Sequence, residues 1–345
     1  MDGSRNQDDL DKAAAYALKV IDESGRELVP AFSDIFRLQN NFSSESLLAW
    51  HWRGDRDPWT QQNTLQSDLA LTGFSEFGDT WGGYAGPSID LQRAFGENAL
   101  SLERANRDTR RKATMMMYGD KYEYFWVDKG GFDWTDYNLN ELKEFHSATG
   151  ANQVKHLVGN NNDHVIGLGY GMANMSTGLS THLIRLADVY LIYAEAVLGN
   201  QTSTTNARAL EMFNRVRARA YGKTYEDFLT STDVATSLSF HDIWKERRLE
   251  LATEGDRWYD YVRLHYYNPT KAINELRDQY RGTYNGLKAF YETGTLDPSV
   301  TYYNEVPKPN INSSHFKLPF PDTDLTMNKH LLEEAVEVDI SQYSY

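Results

Sequence analysis

The sequence contains no cysteine, which excludes disulfide bonds, thiolate metal ligands and a cysteine nucleophile. Basic residues are also scarce, since 35 Lys and Arg stand against 49 Asp and Glu and leave a net charge of −14. Phosphate backbones are bound by basic faces, so we expect no nucleic-acid partner. No run approaches the roughly 20 apolar residues that a membrane-spanning helix needs. The opening string "MDGSRNQDD" lacks the apolar core of a signal peptide.

The motifs of common hydrolases and nucleotide-binding enzymes are missing too: no Gly-x-Ser-x-Gly, His-Glu-x-x-His or P-loop pattern occurs. A glycoside hydrolase needs two carboxylates about 5–10 Å apart. The best-spaced acidic pairs, Asp55 with Asp57 and Asp322 with Asp324, are typical of turns. The string "NNNDH" at 160–164 could offer oxygen ligands to calcium, but it lacks EF-hand spacing and has no other support. We predict neither catalysis nor a cofactor, and a carboxylate-dependent glycoside hydrolase is the alternative.

Aromatic residues are abundant instead, with 22 Tyr and 8 Trp. Such an excess is typical of surfaces that stack flat ligands, and a large aromatic core is the alternative. In 28–180 the aromatic residues stand among Gly, Asn and Asp, and helical periodicity is weak. This part is therefore predicted to be a loop-rich ligand-binding region. Its short regular elements are predicted at 88–95 and 139–144 as helices, and at 47–52 and 122–127 as strands.

Helical periodicity marks the flanking segments. The segment 10–24 carries an apolar stripe of Ala, Val and Ile that has no partner upstream. We therefore predict the second half of a helix pair whose first half lies outside this chain. Further helices are predicted at 183–198, 205–220, 240–264 and 269–280.

The helix predicted at 183–198 mixes small and aromatic side chains. Ala187 and Ala194 are too small to fill an ordinary core, and Tyr190 and Tyr193 can fill the space beside them. This pattern favours closely packed antiparallel helices, as in tetratricopeptide-like hairpins of about 34 residues. The predicted fold class is mainly α, and an adaptor or purely structural helical-repeat protein is a further alternative. The regions are the loop-rich 28–180, the tetratricopeptide-like 181–282 and an irregular C-terminal 283–345.

The most distinctive string, "WKERRLELATEGDRWYDYVRL", covers 244–264. A continuous helix would place Trp244, Arg248, Leu251, Gly255 and Trp258 on one face, at alternating spacings of four and three. On that face Gly255 predicts a close contact with another helix or a kink, Arg248 a buried ion pair, and both Trp residues core positions. Gly255→Leu should then be tolerated less well than Arg248→Met.

Oppositely charged residues recur in the helices predicted at 183–198 and 240–264. Spacings of three predict the pairs Glu250–Arg247, Glu254–Arg257 and Asp260–Arg263. We interpret these charges as a buried ionic lattice that holds helices together, with an anion or sugar site as the alternative. The residues of this structural signature are Arg185, Asp188, Glu195, Arg247, Arg248, Glu250, Glu254, Gly255, Arg257, Asp260 and Arg263.

These strings resemble the SusD/RagB family of Bacteroidetes outer-membrane glycan-binding lipoproteins. "RLADVYLIYAEA" and "ERRLELATEGDRWYDYVRL" resemble its two strongest signatures, and "YAGPSIDLQRAF", "NRDTRRKAT" and "FKLPFPDTDLTMN" resemble three weaker ones in the right order. Family members usually carry a lipidated Cys and several helices before the point where this chain begins, so we expect an N-terminally truncated form. Lys329 stands where a Pro often follows the matched Asn328, and the tail "VDISQYSY" also departs from the family pattern.

The resemblance implies a single SusD-like domain over 1–345 and glycan capture at the surface of the outer membrane, without catalysis. It also implies delivery to a SusC-like TonB-dependent transporter, and attachment to the membrane only through an N-terminal lipid anchor that this chain lacks. Sugar rings stack on Trp and Tyr while polar neighbours bond the hydroxyls. The candidate ligand-binding residues are Trp52, Trp59, Trp81, Tyr84, Trp126, Trp134 and Tyr137.

Trp81 is the first candidate, because the glycines of "GDTWGGY" would leave its ring open to a ligand. We predict that Trp81→Ala weakens glycan binding while the melting temperature stays nearly unchanged. Affinity electrophoresis against a panel of polysaccharides and thermal unfolding measure the two effects. Full-strength binding by the variant would remove Trp81 from the site, and a much lower melting temperature would place it in the core.

Overall fold

Helices dominate the chain, as predicted. The computed structural model describes residues 4–55, 63–75, 86–105, 107–142, 144–334 and 336. Among them the α-helices are α1 (Gln7–Glu23), α2 (Leu65–Leu69), α3 (Ile89–Ala94), α4 (Thr109–Thr114), α5 (Trp134–Asp136), α6 (Asn161–Leu168), α7 (Leu186–Leu198), α8 (Ala207–Ala220), α9 (Tyr225–Leu229), α10 (Phe240–Glu250), α11 (Asp256–Tyr267), α12 (Pro269–Arg277), α13 (Leu287–Thr293) and α14 (Asp322–Met327). In the part of the chain that the structure describes, no helix is both long enough and apolar enough to cross a lipid bilayer.

The strands are short and pair in antiparallel ribbons of two. They are β1 (Ser46–Trp50), β2 (Met115–Met117), β3 (Lys121–Tyr122), β4 (Phe132–Asp133), β5 (Ala151–Gln153), β6 (Thr181–Arg185), β7 (Thr283–Tyr284) and β8 (Tyr303–Asn304). The pairs are β1 with β6, β2 with β5, β3 with β4, and β7 with β8. The strand predicted at 47–52 is present as β1. Of the segment 122–127 only Tyr122 is in a strand, because the chain then turns through Trp126, whose φ is 54°.

The helical core is built around α7. Helices α1, α8 and α10 pack against it, and Ala187 and Ala194 are fully buried where those helices approach. Tyr190 and Tyr193 are buried beside them. The predicted packing of small and aromatic side chains is therefore confirmed.

Helix α1 has a partner within the chain. Leu10 and Ala17 are buried, and Ala14, Val20 and Ile21 are partly buried against the helical core. Helix α7, far along the chain, therefore covers this stripe in part, a partner that the sequence could not show. The expectation that the stripe pairs with a segment upstream of α1 is not tested.

A second core lies in the loop-rich region and is strongly aromatic. Phe74, Phe125 and Phe132 are fully buried, with ring centroids 5.3 Å apart for Phe74–Phe125 and 5.0 Å apart for Phe74–Phe132. Trp134 is buried in the same core. For these residues the alternative interpretation of the aromatic excess, a large aromatic core, is the correct one.

Two of the predicted helices have different boundaries in the structure. The segment 183–198 begins in β6, which pairs with β1, and turns helical only at Leu186. The segment 240–264 is not one helix, because α10 ends at Glu250 and α11 begins at Asp256. Between them Thr253 and Gly255 adopt left-handed backbone conformations, with φ of 67° and 100°.

This break removes the continuous face that was predicted for 244–264. A Cβ added to Gly255 would meet no atom of the described residues within 4 Å, so the predicted close helix contact is wrong and the alternative, a kink, is the correct one. Gly255 instead supplies the positive φ at the start of α11. Trp244 is buried as predicted, but Trp258 is 41% exposed and stacks on Phe316, so its predicted core position is wrong.

We predict that Gly255→Ala and Gly255→Leu lower the free energy of unfolding by similar amounts, about 1–2 kcal/mol each, because only the left-handed backbone opposes them. Thr253→Gly should raise it by about 1 kcal/mol, since it relieves the same strain at a β-branched residue. It also removes a buried hydroxyl that has no hydrogen-bond partner in the described part of the chain. Denaturant unfolding measures the free energy of unfolding of all three variants. A much larger loss for Gly255→Leu than for Gly255→Ala would show that Gly255 does lie in close contact with another helix.

Candidate functional site

The ribbon of β1 and β6 carries exposed tryptophan at its open end. Trp50 lies opposite Thr181 and is 57% exposed. Trp52 follows two residues later and packs edge-to-face against Trp50, with ring centroids 6.0 Å apart. The Trp52 indole Nε1 donates to the Thr181 hydroxyl at 3.0 Å. Trp52 is therefore anchored to β6, and Trp50 offers its ring to solvent.

Two charged residues follow Trp52 closely in the sequence. Arg53 donates to both carboxylate oxygens of Asp55, from Nε at 3.0 Å and from an Nη at 2.8 Å. On the other side of Trp50 along the strand, Leu48 is exposed and lies opposite exposed Ile184. An exposed indole beside charged hydrogen-bonding groups can stack an apolar ring face and bond the polar groups around that ring.

Trp50 was not among the candidate residues from the sequence. The signal was available in "LLAWHW", because side chains alternate along a strand and Trp50 and Trp52 therefore project to the same side. The structure brings these two rings together.

The base of the ribbon is held by buried ion pairs. Glu45, which precedes β1, bonds Arg185 at the end of β6 at 2.6 Å, and it also pairs with Arg219 of α8. Glu250, the last residue of α10, contacts Arg185 at 3.0 Å and Arg219 at 2.5 Å. It also contacts Arg110 of α4 at 3.2 Å. We call this set, together with Glu254 and Lys155, the buried ionic network.

Glu254 completes the network from the break between α10 and α11. It bonds Arg185 at 2.6 Å and Lys155 at 2.6 Å. Burial alone would raise the pKa of Glu250, but Arg219, Arg185 and Arg110 lower that pKa to about 2. Burial likewise opposes ionisation of Glu254, and Arg185 and Lys155 lower its pKa to about 2. Burial lowers the pKa of Lys155 to about 8 despite the neighbouring Glu254.

A second buried cluster involves Arg247, which bonds Asp188 at 2.6 Å and Asp260 at 2.9 Å. Arg263 bonds Asp260 at 2.8 Å and Glu195 at 3.0 Å. The expected pair Asp260–Arg263 is therefore present.

The other two expected pairs are wrong. Glu250 pairs with Arg185 and Arg219, while Arg247, in the same helix, pairs with Asp188 and Asp260. Glu254 lies in the break between α10 and α11 and turns to Arg185 and Lys155 instead of Arg257. Arg248 forms the ion pair that was expected, with Asp90 as its partner. Its side chain is 23% exposed, so the pair is only partly buried.

Three of the other sequence candidates belong to the aromatic core or its border. Trp134 is fully buried and donates to Asn152 at 2.9 Å, so its interpretation as a ligand-contacting ring is wrong. The Trp126 indole donates to the Phe74 carbonyl at 2.9 Å, and the Tyr137 hydroxyl donates to the Thr72 carbonyl at 2.9 Å. Trp126 and Tyr137 therefore hydrogen-bond the backbone carbonyls at 72 and 74 and hold this part of the chain in place.

The remaining candidates Trp59, Trp81 and Tyr84 lie outside the described residues, as does Asp57. The chain that borders the Trp81 segment is firmly packed. Phe74 is fully buried before it, and after it a Cβ on Gly86 would lie 2.4 Å from the Ala151 carbonyl of β5.

The acidic and amide residues at 160–164 form a helix cap. Asn160 accepts from the backbone N–H of Asp163 at 3.0 Å. The Asp163 carboxylate accepts from the backbone N–H groups of Asn160, Trp126 and Val127 at 2.7–3.0 Å. Over the described ranges, no group of three or more His, Cys, Asp or Glu residues is arranged to hold a metal ion.

The architecture is that of a helical-hairpin protein that presents an aromatic strand edge. Residues 53–335 match the SusD family. The chain is 33% identical over 348 residues to a SusD-like protein of Bacteroides ovatus. The aligned region covers 97% of this chain and 57% of the relative. The chain therefore belongs to the SusD family, as its signatures indicated, and it spans little more than half of that relative's length.

Solved structures give the same result for the fold. One, determined with a xylogluco-oligosaccharide, is 30% identical, with a TM-score of 0.75 over 98% of this chain and 63% of that one. Surface glycan-binding protein A from Bacteroides thetaiotaomicron, in complex with laminarihexaose, is 18% identical, with a TM-score of 0.52 over 84% of this chain and 59% of that one. The second likeness shows the fold alone. The predicted mainly helical, SusD-like fold is confirmed.

We predict that Glu250→Gln lowers the free energy of unfolding by about 3–5 kcal/mol, because it leaves buried arginines without their carboxylate. The matched control is Glu211→Gln on α8, whose partners Arg208 and Arg215 lie nearer the surface. The control should cost less than about 1 kcal/mol. Denaturant unfolding near neutral pH compares them, and equal losses would contradict a special role for the buried network.

The same carboxylates predict a pH dependence. The pKa of Glu250 falls from 4.5 to about 2 on folding. Its contribution is therefore complete above pH 4.5 and is lost as the pH falls towards 2. Asp256 acts in the opposite sense, since burial raises its pKa from 3.8 to about 6 and its cost grows as the pH rises between those values. The free energy of unfolding should fall steeply below about pH 4, less so in Glu250→Gln, and parallel profiles would contradict this assignment.

Proposed function

We propose that this chain binds an oligosaccharide at the surface of the outer membrane through the open end of the β1–β6 ribbon, without cleaving it. The observation that carries the proposal is the exposed Trp50 ring beside Trp52, which Thr181 holds in place. A sugar ring can stack its C–H face on Trp50, while Arg53 and Asp55 bond its hydroxyl groups.

A neutral glucan is the ligand class that we propose first. Support comes from the structure with a xylogluco-oligosaccharide, which is 30% identical to this chain and has a TM-score of 0.75. One open indole forms a shallow site, so affinity should be weak, in the micromolar to millimolar range, or about −8 to −4 kcal/mol. We also propose that Trp59, Trp81 and Tyr84 extend the aromatic surface, as their sequence context favours.

Delivery to a SusC-like TonB-dependent transporter is the second part of the proposal. It is supported by membership of the SusD family, and it assigns to this chain a capture role and not a chemical step. A weak site suits this role, because the oligosaccharide must be released after it has been captured.

The absence of catalysis is supported by the state of the candidate carboxylates. Asp55 is bonded at both oxygens by Arg53. Asp322 and Asp324 lie exposed in the first turn of α14, where negative charge stabilises a helix N-terminus. Exposed carboxylates in the first turn of a helix are typical of capping and not of the enclosed acid that protonates a glycosidic oxygen.

We predict that Trp50→Ala weakens binding of a xylogluco-oligosaccharide at least about fivefold, which corresponds to about 1 kcal/mol, because the open stacking surface is lost. The matched control is Tyr16→Ala on α1, which removes another exposed aromatic ring, 72% exposed, and should leave affinity unchanged. Isothermal titration calorimetry measures both variants.

Two outcomes would contradict the proposal. Undiminished affinity of Trp50→Ala would show that the sugar binds elsewhere, for instance at the segments that carry Trp59 or Trp81. Release of shorter saccharides during the titration would show that the protein is a hydrolase.

A further inference from the structure

A polar groove of about 410 Å³ lies between α10, α11 and α12. These helices follow the β1–β6 ribbon in the sequence and share no residue with it. Its lining includes Trp244, Lys245, Arg248, Arg257, Glu275 and Gln279. Two rings at its base are held in place: the Trp244 indole donates to Glu275 at 2.8 Å, and the Tyr261 hydroxyl accepts from Gln279 at 3.1 Å.

Arg257 is the unusual residue of this groove. Its guanidinium carbon lies 3.9 Å from the centre of the Trp244 ring and 4.7 Å from that of Tyr261. Its ion-pair partner Asp260 is 3.7 Å away and is bonded more closely by Arg247 and Arg263. Its Nε is buried and has no hydrogen-bond partner among the residues that the structure describes.

Arg257 also has a side-chain hydrogen bond with Tyr261. One Nη lies 3.4 Å from the Trp244 carbonyl, and burial lowers the pKa of Arg257 although Tyr261 and Asp260 oppose that shift. Arg257 is therefore a cation held in place by aromatic rings with little compensating negative charge. Its side chain remains 23% exposed, so its outer edge reaches the groove.

The acids around the groove are already engaged. Asp90 pairs with Arg248, and Asp278 bonds Arg277 at 3.1 Å and Lys308 at 2.8 Å. Glu275 accepts from the Trp244 indole and lies 4.0 Å from Lys271. Lys245 is exposed at the rim and forms no ion pair within the part of the chain that the structure describes. The groove therefore contains two cations, Arg257 and Lys245, that can accept an added anion.

We propose that this groove is a second binding site, for a sugar acid whose carboxylate pairs with the outer guanidinium nitrogens of Arg257 and with Lys245. Glu275 and Gln279 line the same groove and bond hydroxyl groups of the ligand. Hydroxyl groups beside a carboxylate distinguish a uronic acid from a simple organic anion and from a neutral sugar. Because the whole chain carries a net charge of −14, this local pairing must supply the attraction.

This site does not depend on the site proposed at Trp50. The rings of Trp244 are covered by Arg257 on one side and stack with Phe240, with centroids 5.4 Å apart. The groove therefore recognises charge and hydroxyl groups and does not stack a sugar ring.

The test titrates the protein with glucuronate, glucose and acetate at low ionic strength, by isothermal titration calorimetry. We expect glucuronate to bind more tightly than glucose or acetate, and added salt to weaken it because exposed charges are screened. Arg257→Gln and Lys245→Gln should each weaken glucuronate binding at least fivefold, about 1 kcal/mol. Arg107→Gln is the control, since Arg107 is exposed and pairs with Asp233 elsewhere, and it should bind normally.

Several results would overturn the proposal: no glucuronate binding, equal binding of glucose or of acetate, or unchanged affinity in Lys245→Gln. Lys245 is exposed, so this variant decides the question even if Arg257→Gln does not fold. Trp50→Ala must keep its affinity for glucuronate. Weaker glucuronate binding by Trp50→Ala would place glucuronate at the ribbon and contradict a second site. Failure of the ribbon to bind a neutral oligosaccharide would contradict the proposed function and leave the glucuronate test unaffected.

Discussion

The buried ionic network around Glu250 is the constraint on which the fold depends. Moving a charge out of water costs several kcal/mol per ion, so Glu45, Glu250 and Glu254 can be buried only if their cations are all in place. Those cations come from α4, from the chain after β5, from β6 and from α8. The network therefore joins the loop-rich region to the helical hairpins, and removing one member leaves an uncompensated buried charge in the other region.

The same network explains how a two-stranded ribbon can present a binding edge. An isolated pair of strands is marginally stable in water, but Glu45 precedes β1 and Arg185 ends β6, and each bonds the other at 2.6 Å. His182 adds contacts from β6 to the Ser46 hydroxyl at 3.1 Å and to the Ile35 carbonyl at 3.2 Å. The base of the ribbon is thus rigid and charged, while its open end exposes Trp50. Exposed binding residues on a firmly held scaffold are a common arrangement in proteins.

Local patterns in the sequence predicted the helices, the packing of small residues in α7 and the family, because each depends on neighbours along the chain. Features that depend on distant partners were not predictable in this way. Glu250 and Glu254 bond cations that come from other regions of the chain, and the partner of α1 lies far along the chain. For the candidate site, "LLAWHW" contained the signal for Trp50, whereas the burial of Trp134 depends on an aromatic core assembled from several segments. Abundance of aromatic residues alone cannot separate a core ring from an exposed one.

Capture of a saccharide at the open end of the β1–β6 ribbon is tested most directly by the indole N–H resonances of the protein during titration with a xylogluco-oligosaccharide. The Trp50 resonance should shift in a saturable manner, because its ring is exposed to the ligand. The resonances of Trp134 and Trp244, which donate to Asn152 and Glu275 inside the protein, should remain in place. Saturable binding with an unmoved Trp50 resonance would contradict the assignment of the binding site to this edge.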